Sequence, residues 1–180
     1  MESYRVEIGS ILDVLGASID VEDDIVFDSF IVGTEVFVPR GPAHIDVTIT
    51  YTGGAAVAMG TATLPVVATC ARCLADFLTE ILGEVDGFYV TPGHEEGIPE
   101  EQEIEYIDSE GVIDLYPAIL AALVLDAPFA PLHDEQCAGI CAQCGADLNE
   151  GLCDCSASVE DTHPFAGLHG LLDHGPAENG

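Results

Sequence analysis

Between residues 44 and 54 the chain reads HIDVTITYTGG, with Ile45, Val47, Ile49 and Tyr51 alternating with polar positions before a Gly-Gly pair. Successive strand side chains point to opposite faces, so this period of two predicts a half-buried strand, and the glycines predict a hairpin turn after it. FIVGTEVFV (30–38) and ATLPVVAT (62–69) predict two more strands through their aliphatic and β-branched content. An antiparallel sheet in the front half follows. After residue 73 the pattern carries two periods at once. Leu74, Phe77, Leu78, Ile81, Leu82 and Val85 fit a helical stripe, whereas Phe77, Thr79, Ile81, Gly83 and Val85 fit an alternating strand. A two-thiol turn set between two strands favours the strand.

TPGHEEGIPEEQEIEYIDSEG (91–111) concentrates proline, glycine and acid and reads as an exposed acidic loop. A helix is predicted over 114–126, capped by Asp114, with Pro117 in its first turn, Pro128 beyond its end, and Leu115, Ile119, Ala122 and Leu123 on one apolar face. From Pro131 the chain becomes closely spaced cysteines. HPFAGLHGLL (163–172) then predicts a short amphipathic helix with Phe165, Leu168, Leu171 and Leu172 on one side. No internal repeat is visible. The expected class is α+β: an antiparallel, β-rich N-terminal part, one central helix, and a C-terminal zinc-ribbon-like four-cysteine module. The division reads as a strand-rich core domain over 1–132, holding the acidic loop and the helix, and a cysteine-rich module with a short C-terminal helix over 133–180. A chain of 180 residues, 48% hydrophobic, can fill one core and carry a small appendage.

Charge narrows the choice of partner. Thirty-three Asp and Glu stand against Arg5, Arg40 and Arg72, with no lysine, for a formal net charge of −30. Nucleic-acid affinity rests mainly on clustered Lys and Arg displacing counterions, and three arginines cannot build such a face. A basic protein would instead be steered toward this surface. A solvated acidic face, as in a salt-adapted protein, is the plainer alternative. The N-terminal MESYRVEIGS lacks the basic and apolar regions of a secretory signal, and the longest apolar stretch, YPAILAALVL (116–125), falls short of the roughly 20 residues a bilayer needs. The expectation is a cytoplasmic protein without a membrane anchor, where clustered cysteines serve as metal ligands or redox groups rather than disulfides.

Five of the seven cysteines fall in CAGICAQCGADLNEGLCDC (137–155). Cys141 and Cys144 form a CxxC, followed by Gly145, which supplies the backbone freedom a metal knuckle needs. Cys153 and Cys155 form a CxC, whose side chains fall on one side of an extended segment. Asn149 and Gly151 can turn the chain back between the pairs. Cys141, Cys144, Cys153 and Cys155 thus satisfy tetrahedral zinc, and four protein ligands make the site structural because no position stays open for water or substrate. Cys70, Cys73 and Cys137 remain, and His133 lies four positions before Cys137 and can supply a fourth ligand. One zinc is expected at the first set, and a second can sit at Cys70, Cys73, His133 and Cys137. The bland alternative is a surface His133 beside free thiols.

A redox reading takes Cys70 and Cys73 as a dithiol centre with Arg72 favouring the thiolate. A thioredoxin-like pair opens a helix in a βαβ unit, whereas TCARC follows an antiparallel meander. No nucleophilic triad, phosphate loop or compact carboxylate–histidine cluster is visible, so no catalytic residues are assigned and the chain reads as a non-enzyme.

ATCARCLADF, then EGVIDLYPAILAALVLDAPFAPLHDEQCAGICAQCGADLNEGLCDC, then HPFAGLHGLL resemble, in this order, the bacterial YceD family, named for large ribosomal RNA subunit accumulation. The resemblance covers most of the chain from residue 66 onward. It implies that the early CxxC and the pair matching His133 and Cys137 are shared across the family, with the later CxxC and CxC in only some members. It also implies a non-enzymatic role in making the large ribosomal subunit, with loss of its RNA when the protein is missing. Combined with the charge, this suggests a basic ribosomal protein or assembly factor as partner. Its expected seat is the acidic stretch containing Glu95, Glu96, Glu100, Glu101, Glu103 and Glu105. The rival is a zinc module that binds RNA directly.

Overall fold

A computed structural model describes residues 3–99 and 103–155. Its elements, in chain order, are β1 (Arg5–Glu7), β2 (Ser18–Ile25), β3 (Phe30–Val32), β4 (Glu35–Pro39), β5 (Ala43–Tyr51), β6 (Ala55–Thr69), β7 (Asp76–Val90), β8 (Glu105–Tyr106), β9 (Val112–Asp114) and α1 (Tyr116–Asp126). The chain divides into two compact units, Met1–Cys137 and Ala138–Gly180. All ten elements lie in the first, as do His133 and Cys137. The class is α+β, with antiparallel β structure, a single helix among the described residues, and a C-terminal cluster of four cysteines.

Strand β6 organises the main sheet. One edge pairs along its whole length with β7, from Ala55↔Val90 to Thr69↔Asp76. The other edge takes β5 and then β4 in succession, and β2 and β3 flank those two. These pairings are antiparallel; β8 adds to the far edge of β7 in parallel. A separate two-stranded ribbon joins β1 to β9. Along β6 the even-numbered residues Ala56, Ala58, Ala62, Leu64, Val66 and Ala68 are buried, and on β5 Ala43, Ile45, Val47 and Ile49 are buried. Helix α1 covers this face with Ile119, Ala122 and Leu123. Gly83 permits the approach: a Cβ there would stand 2.7 Å from the Ala122 carbonyl carbon.

Several expectations need correction. Residues 30–38 form a hairpin, not one strand: the chain turns at Gly33, whose φ of 64° suits glycine. The acidic stretch 91–111 is not a loop throughout, because it contains β8, followed by the buried Ile107. The helix begins at Tyr116 rather than Asp114, with Leu115 in the N-cap position and no side-chain cap. Asp114 ends β9 instead, and its Oδ1 accepts the N–H groups of Tyr4 at 2.8 Å and Tyr116 at 3.0 Å, fastening the ribbon to the helix start. The helix expected over 163–172 lies outside the described residues.

Candidate metal centres

Cys70 continues the buried, even-numbered face of β6 by one more step, so the sheet's own alternation delivers its thiol inward. Between β6 and β7 the chain turns through a knuckle. The Cys70 N–H donates to the Ala75 carbonyl at 2.9 Å and the Leu74 N–H to the Cys70 carbonyl at 2.9 Å, with Leu74 at φ 62°. Cys73 closes this turn, and the segment beyond α1 reaches it. The Ala71 N–H donates to Pro131, and the Arg72 Nη1 donates to the carbonyls of Glu135 at 2.9 Å and Cys137 at 3.0 Å.

These contacts set His133 Nδ1 3.4 Å from Cys73 Sγ and Cys70 Sγ 3.8 Å from Cys137 Sγ. All four ligand atoms lie within 4.8 Å of one another. Tetrahedral zinc, with its usual bond lengths, sets edges of about 3.8 Å between sulfurs and about 3.6 Å between sulfur and nitrogen. The observed separations fit. The thiols are buried, with Phe77 and Leu132 packed against them and the Phe77 ring edge-on to His133.

Electrostatics favour a cation here. Burial opposes the Cys70 thiolate, but the N–H groups of Cys73 and His133, the His133 ring and the Arg72 N–H outweigh it and hold this thiol down at about 5. At Cys73 the Ala75 N–H favours the thiolate, yet burial and the sulfurs of Cys70 and Cys137 outweigh it and push the thiol up. One thiolate forms readily and resists the next, as expected of neighbouring like charges.

The second unit repeats the knuckle. The Cys141 N–H donates to Ala146 at 2.8 Å and the Gly145 N–H to Cys141 at 2.8 Å, with Gly145 at φ 73°. Where Thr69 faces Asp76 across the first knuckle, Ile140 faces Asp147 across this one, as an isolated bridge. Asn149 closes the unit: its Oδ1 accepts the Ala138 N–H at 2.7 Å, and the neighbouring Leu148 N–H donates to Gly139. Cys141, Cys144, Cys153 and Cys155 come together with all four sulfurs within 4.8 Å. The N–H groups of Cys144 and Gln143, and then the thiols of Cys153 and Cys144, hold Cys141 down at about 6. The shared contact with Cys141 raises Cys153 against the Cys155 N–H, and Cys155 is pushed up to about 12 by Cys144, by burial and by Cys141. Both clusters could hold a metal ion.

The acidic residues are spread out. The Glu95 Oε1 accepts the Gly93 N–H at 3.0 Å, and this bond, with further help from its own N–H and from His94, lowers its carboxyl against a small opposing burial. Glu96 and Glu103 are exposed, and Glu105 lies in β8 opposite Tyr89. Glu100 and Glu101 lie outside the described residues. No helix among the described residues is long and apolar enough to cross a membrane.

The family described as large ribosomal RNA subunit accumulation protein YceD matches residues 58–172, a span that includes most of β6, then β7, α1 and all eight cluster residues. The chain belongs to the YceD family. An uncharacterized protein of Mycobacterium leprae is 28% identical over 107 residues, covering 59% of this chain and 49% of the relative. An uncharacterized protein of Mycobacterium bovis is 30% identical over 105 residues, covering 58% and 50%. The chain thus spans about half the length of the curated relatives it matches. No solved structure matches. Within this YceD chain, sequence reasoning missed the stapling role of Arg72, whose position between the two thiols suggests only an effect on their charge. It also missed the repeated knuckle, whose signal is CAxCxA at 70–75 and 141–146.

Proposed function

We propose that this chain supports the accumulation of large-subunit ribosomal RNA without catalysing a reaction. Two structural zinc ions hold its scaffold, and its acidic surface takes up a basic ribosomal protein or assembly factor in the cytoplasm. The YceD match over residues 58–172 carries this reading. Cys70, Cys73, His133 and Cys137 would hold one ion and Cys141, Cys144, Cys153 and Cys155 the other; each set supplies four ligands, which leaves no position for substrate. The net charge of −30 supports a protein rather than RNA as the direct partner. The acidic seat is Glu95, Glu96, Glu100, Glu101, Glu103 and Glu105.

The test is the ratio of large- to small-subunit ribosomal RNA in cells depleted of the protein and complemented with wild type or Cys73→Ser. A selective fall in the large-subunit species that only wild type reverses is the expected result. An unchanged ratio on depletion overturns the proposal.

A further inference from the structure

The outward face of the main sheet changes character from one end to the other. On β5 it carries His44, Asp46, Thr48 and Thr50, the polar residues expected of a solvated face. Where β4, β6 and β7 meet it carries aliphatic residues instead. Val38, Val67 and Leu78 lie in direct cross-strand register, and Val36 lies opposite Ile31 on β3. Leu78 is 73% exposed, Leu82 61% and Ile31 67%. None of these side chains is buried in the described fold, whereas the opposite face of the same strands carries the core residues Phe37, Leu64, Val66, Ile81 and Val85.

Strand β7 adds the charge. Its outward positions read Asp76, Leu78, Glu80, Leu82, Glu84 and Asp86, all exposed, so carboxylates and leucines interleave along one line. Same-face neighbours on a strand are about 7 Å apart. A second copy of this chain would set acid against acid, and anionic lipid or nucleic acid would meet the same repulsion. The complementary ligand is a polypeptide segment that alternates aliphatic and basic side chains at strand spacing.

We infer that the outward face of β4, β6 and β7 is a docking surface for a basic, aliphatic segment of a protein partner, with Leu78 and Leu82 as its apolar anchors and Glu80 and Glu84 as its charge partners. The inference rests on the reading above that the partner is a basic protein, and it adds a contact on the sheet to the acidic seat at 95–105. Leucines supply the affinity that exposed carboxylates alone cannot, because exposed ion pairs contribute little and are screened by salt.

The test uses the full chain loaded with zinc and two short synthetic peptides, one alternating leucine with lysine and one alternating serine with lysine. At physiological salt the wild type should bind the leucine–lysine peptide about tenfold more tightly than the serine–lysine peptide. The double variant Leu78→Ser/Leu82→Ser, with exposed side chains replaced and its melting temperature as a check on folding, should lose that preference. Glu80→Lys/Glu84→Lys, which leaves both leucines in place, should lose binding of both peptides. Equal binding of the two peptides by wild type, or an undiminished preference in the double-serine variant, overturns the inference. So does a wild-type dimer in sedimentation that Leu78→Ser/Leu82→Ser dissolves, since a second copy would then be the occupant. The function fails separately: an intact peptide preference with an unchanged ribosomal RNA ratio on depletion retires that function and leaves the docking surface standing.

Discussion

The two cysteine knuckles have one local geometry in two different settings. Each is a CAxCxA turn closed by the same pair of backbone hydrogen bonds, from the first cysteine N–H to the last alanine carbonyl and from the residue after the second cysteine back to the first. The first caps an uninterrupted ladder running from Ala55↔Val90 to Thr69↔Asp76, whereas the second is preceded by the single bridge Ile140↔Asp147. The sheet therefore holds Cys70 and Cys73 in place before any ion arrives. Among the described residues nothing comparable holds Cys141 and Cys144, and those of the second unit form no helix and no strand beyond that bridge. The same turn is thus a fitting added to a finished core in one place and the organising centre of its unit in the other.

Metal removal should expose that difference most sharply. Cys144→Ser should empty the four-cysteine cluster and abolish amide-exchange protection over residues 138–155, because structural zinc supplies about 10 kcal/mol in small zinc modules. Cys73→Ser should drop the bound zinc from two to one and lower the melting temperature by about 10 °C, the effect of losing a cross-link across a 60-residue separation. The β6–β7 amides should remain protected. If residues 138–155 keep their protection without metal, the contrast between the two settings fails.

Acid should separate the clusters next. Metal-bound thiolates carry fewer protons than the unfolded chain, whose thiols titrate near pH 8.5, so metal-linked stability rises with pH and is lost as pH falls. In the first cluster Cys70 is held down at about 5 and Cys73 is pushed up, whereas in the second Cys141 is held down only to about 6 and both Cys153 and Cys155 are pushed up, Cys155 to about 12. The four-cysteine cluster should therefore release its ion at the higher pH and the Cys70 cluster at the lower. Native mass spectrometry between pH 7 and 4 reads the order directly, and simultaneous release would contradict it.

The smallest effect concerns the residue after each second cysteine. Leu74 adopts the left-handed conformation at φ 62°, where Gly145 stands in the second knuckle. A non-glycine residue there costs roughly 1–2 kcal/mol, partly offset by the greater freedom of glycine in the unfolded chain. Leu74→Gly should raise, and Gly145→Leu lower, resistance of the corresponding site to a zinc chelator, each by about 0.5–1 kcal/mol. Equal resistance in all variants would mean that the turn carries no strain.

How much of this was legible in the sequence depends on the range of the interaction. The alternation at 44–51 announces β5 because one face is fully buried. Cysteine spacing announces the four-cysteine cluster, whereas Cys70, Cys73, His133 and Cys137 are grouped only by elimination, because the 60 residues between Cys73 and His133 leave no local signal. Strand β2 is hidden, since SIDVEDDI buries none of its residues fully, only half-burying Ile19, Val21 and Ile25, and its acids dilute the pattern. The ambiguity after residue 73 was real: Leu78 and Leu82 complete a helical stripe only because they are apolar on the solvent side of a strand. The hairpin at Gly33 and the left-handed Leu74 are backbone events, and only the first is marked by a glycine. Asp114 looks like a helix cap because it does bond the Tyr116 N–H, from the end of a strand whose pairing with β1 spans more than a hundred residues.

The ligands at Cys70 and Cys73 also impose an order of events on the growing chain. Their hairpin partners are near neighbours in sequence, but His133 follows Cys73 by 60 residues. At a synthesis rate of about 5–20 residues per second, roughly 3–12 s pass before the ribosome has made His133, and Cys137 completes the set only after that. Once β7 has been made within that interval, the nascent chain would carry the two thiols of the knuckle with half of the cluster missing, open to early metal capture or to oxidation. The timing of translation, rather than the geometry of the finished fold, decides which happens first.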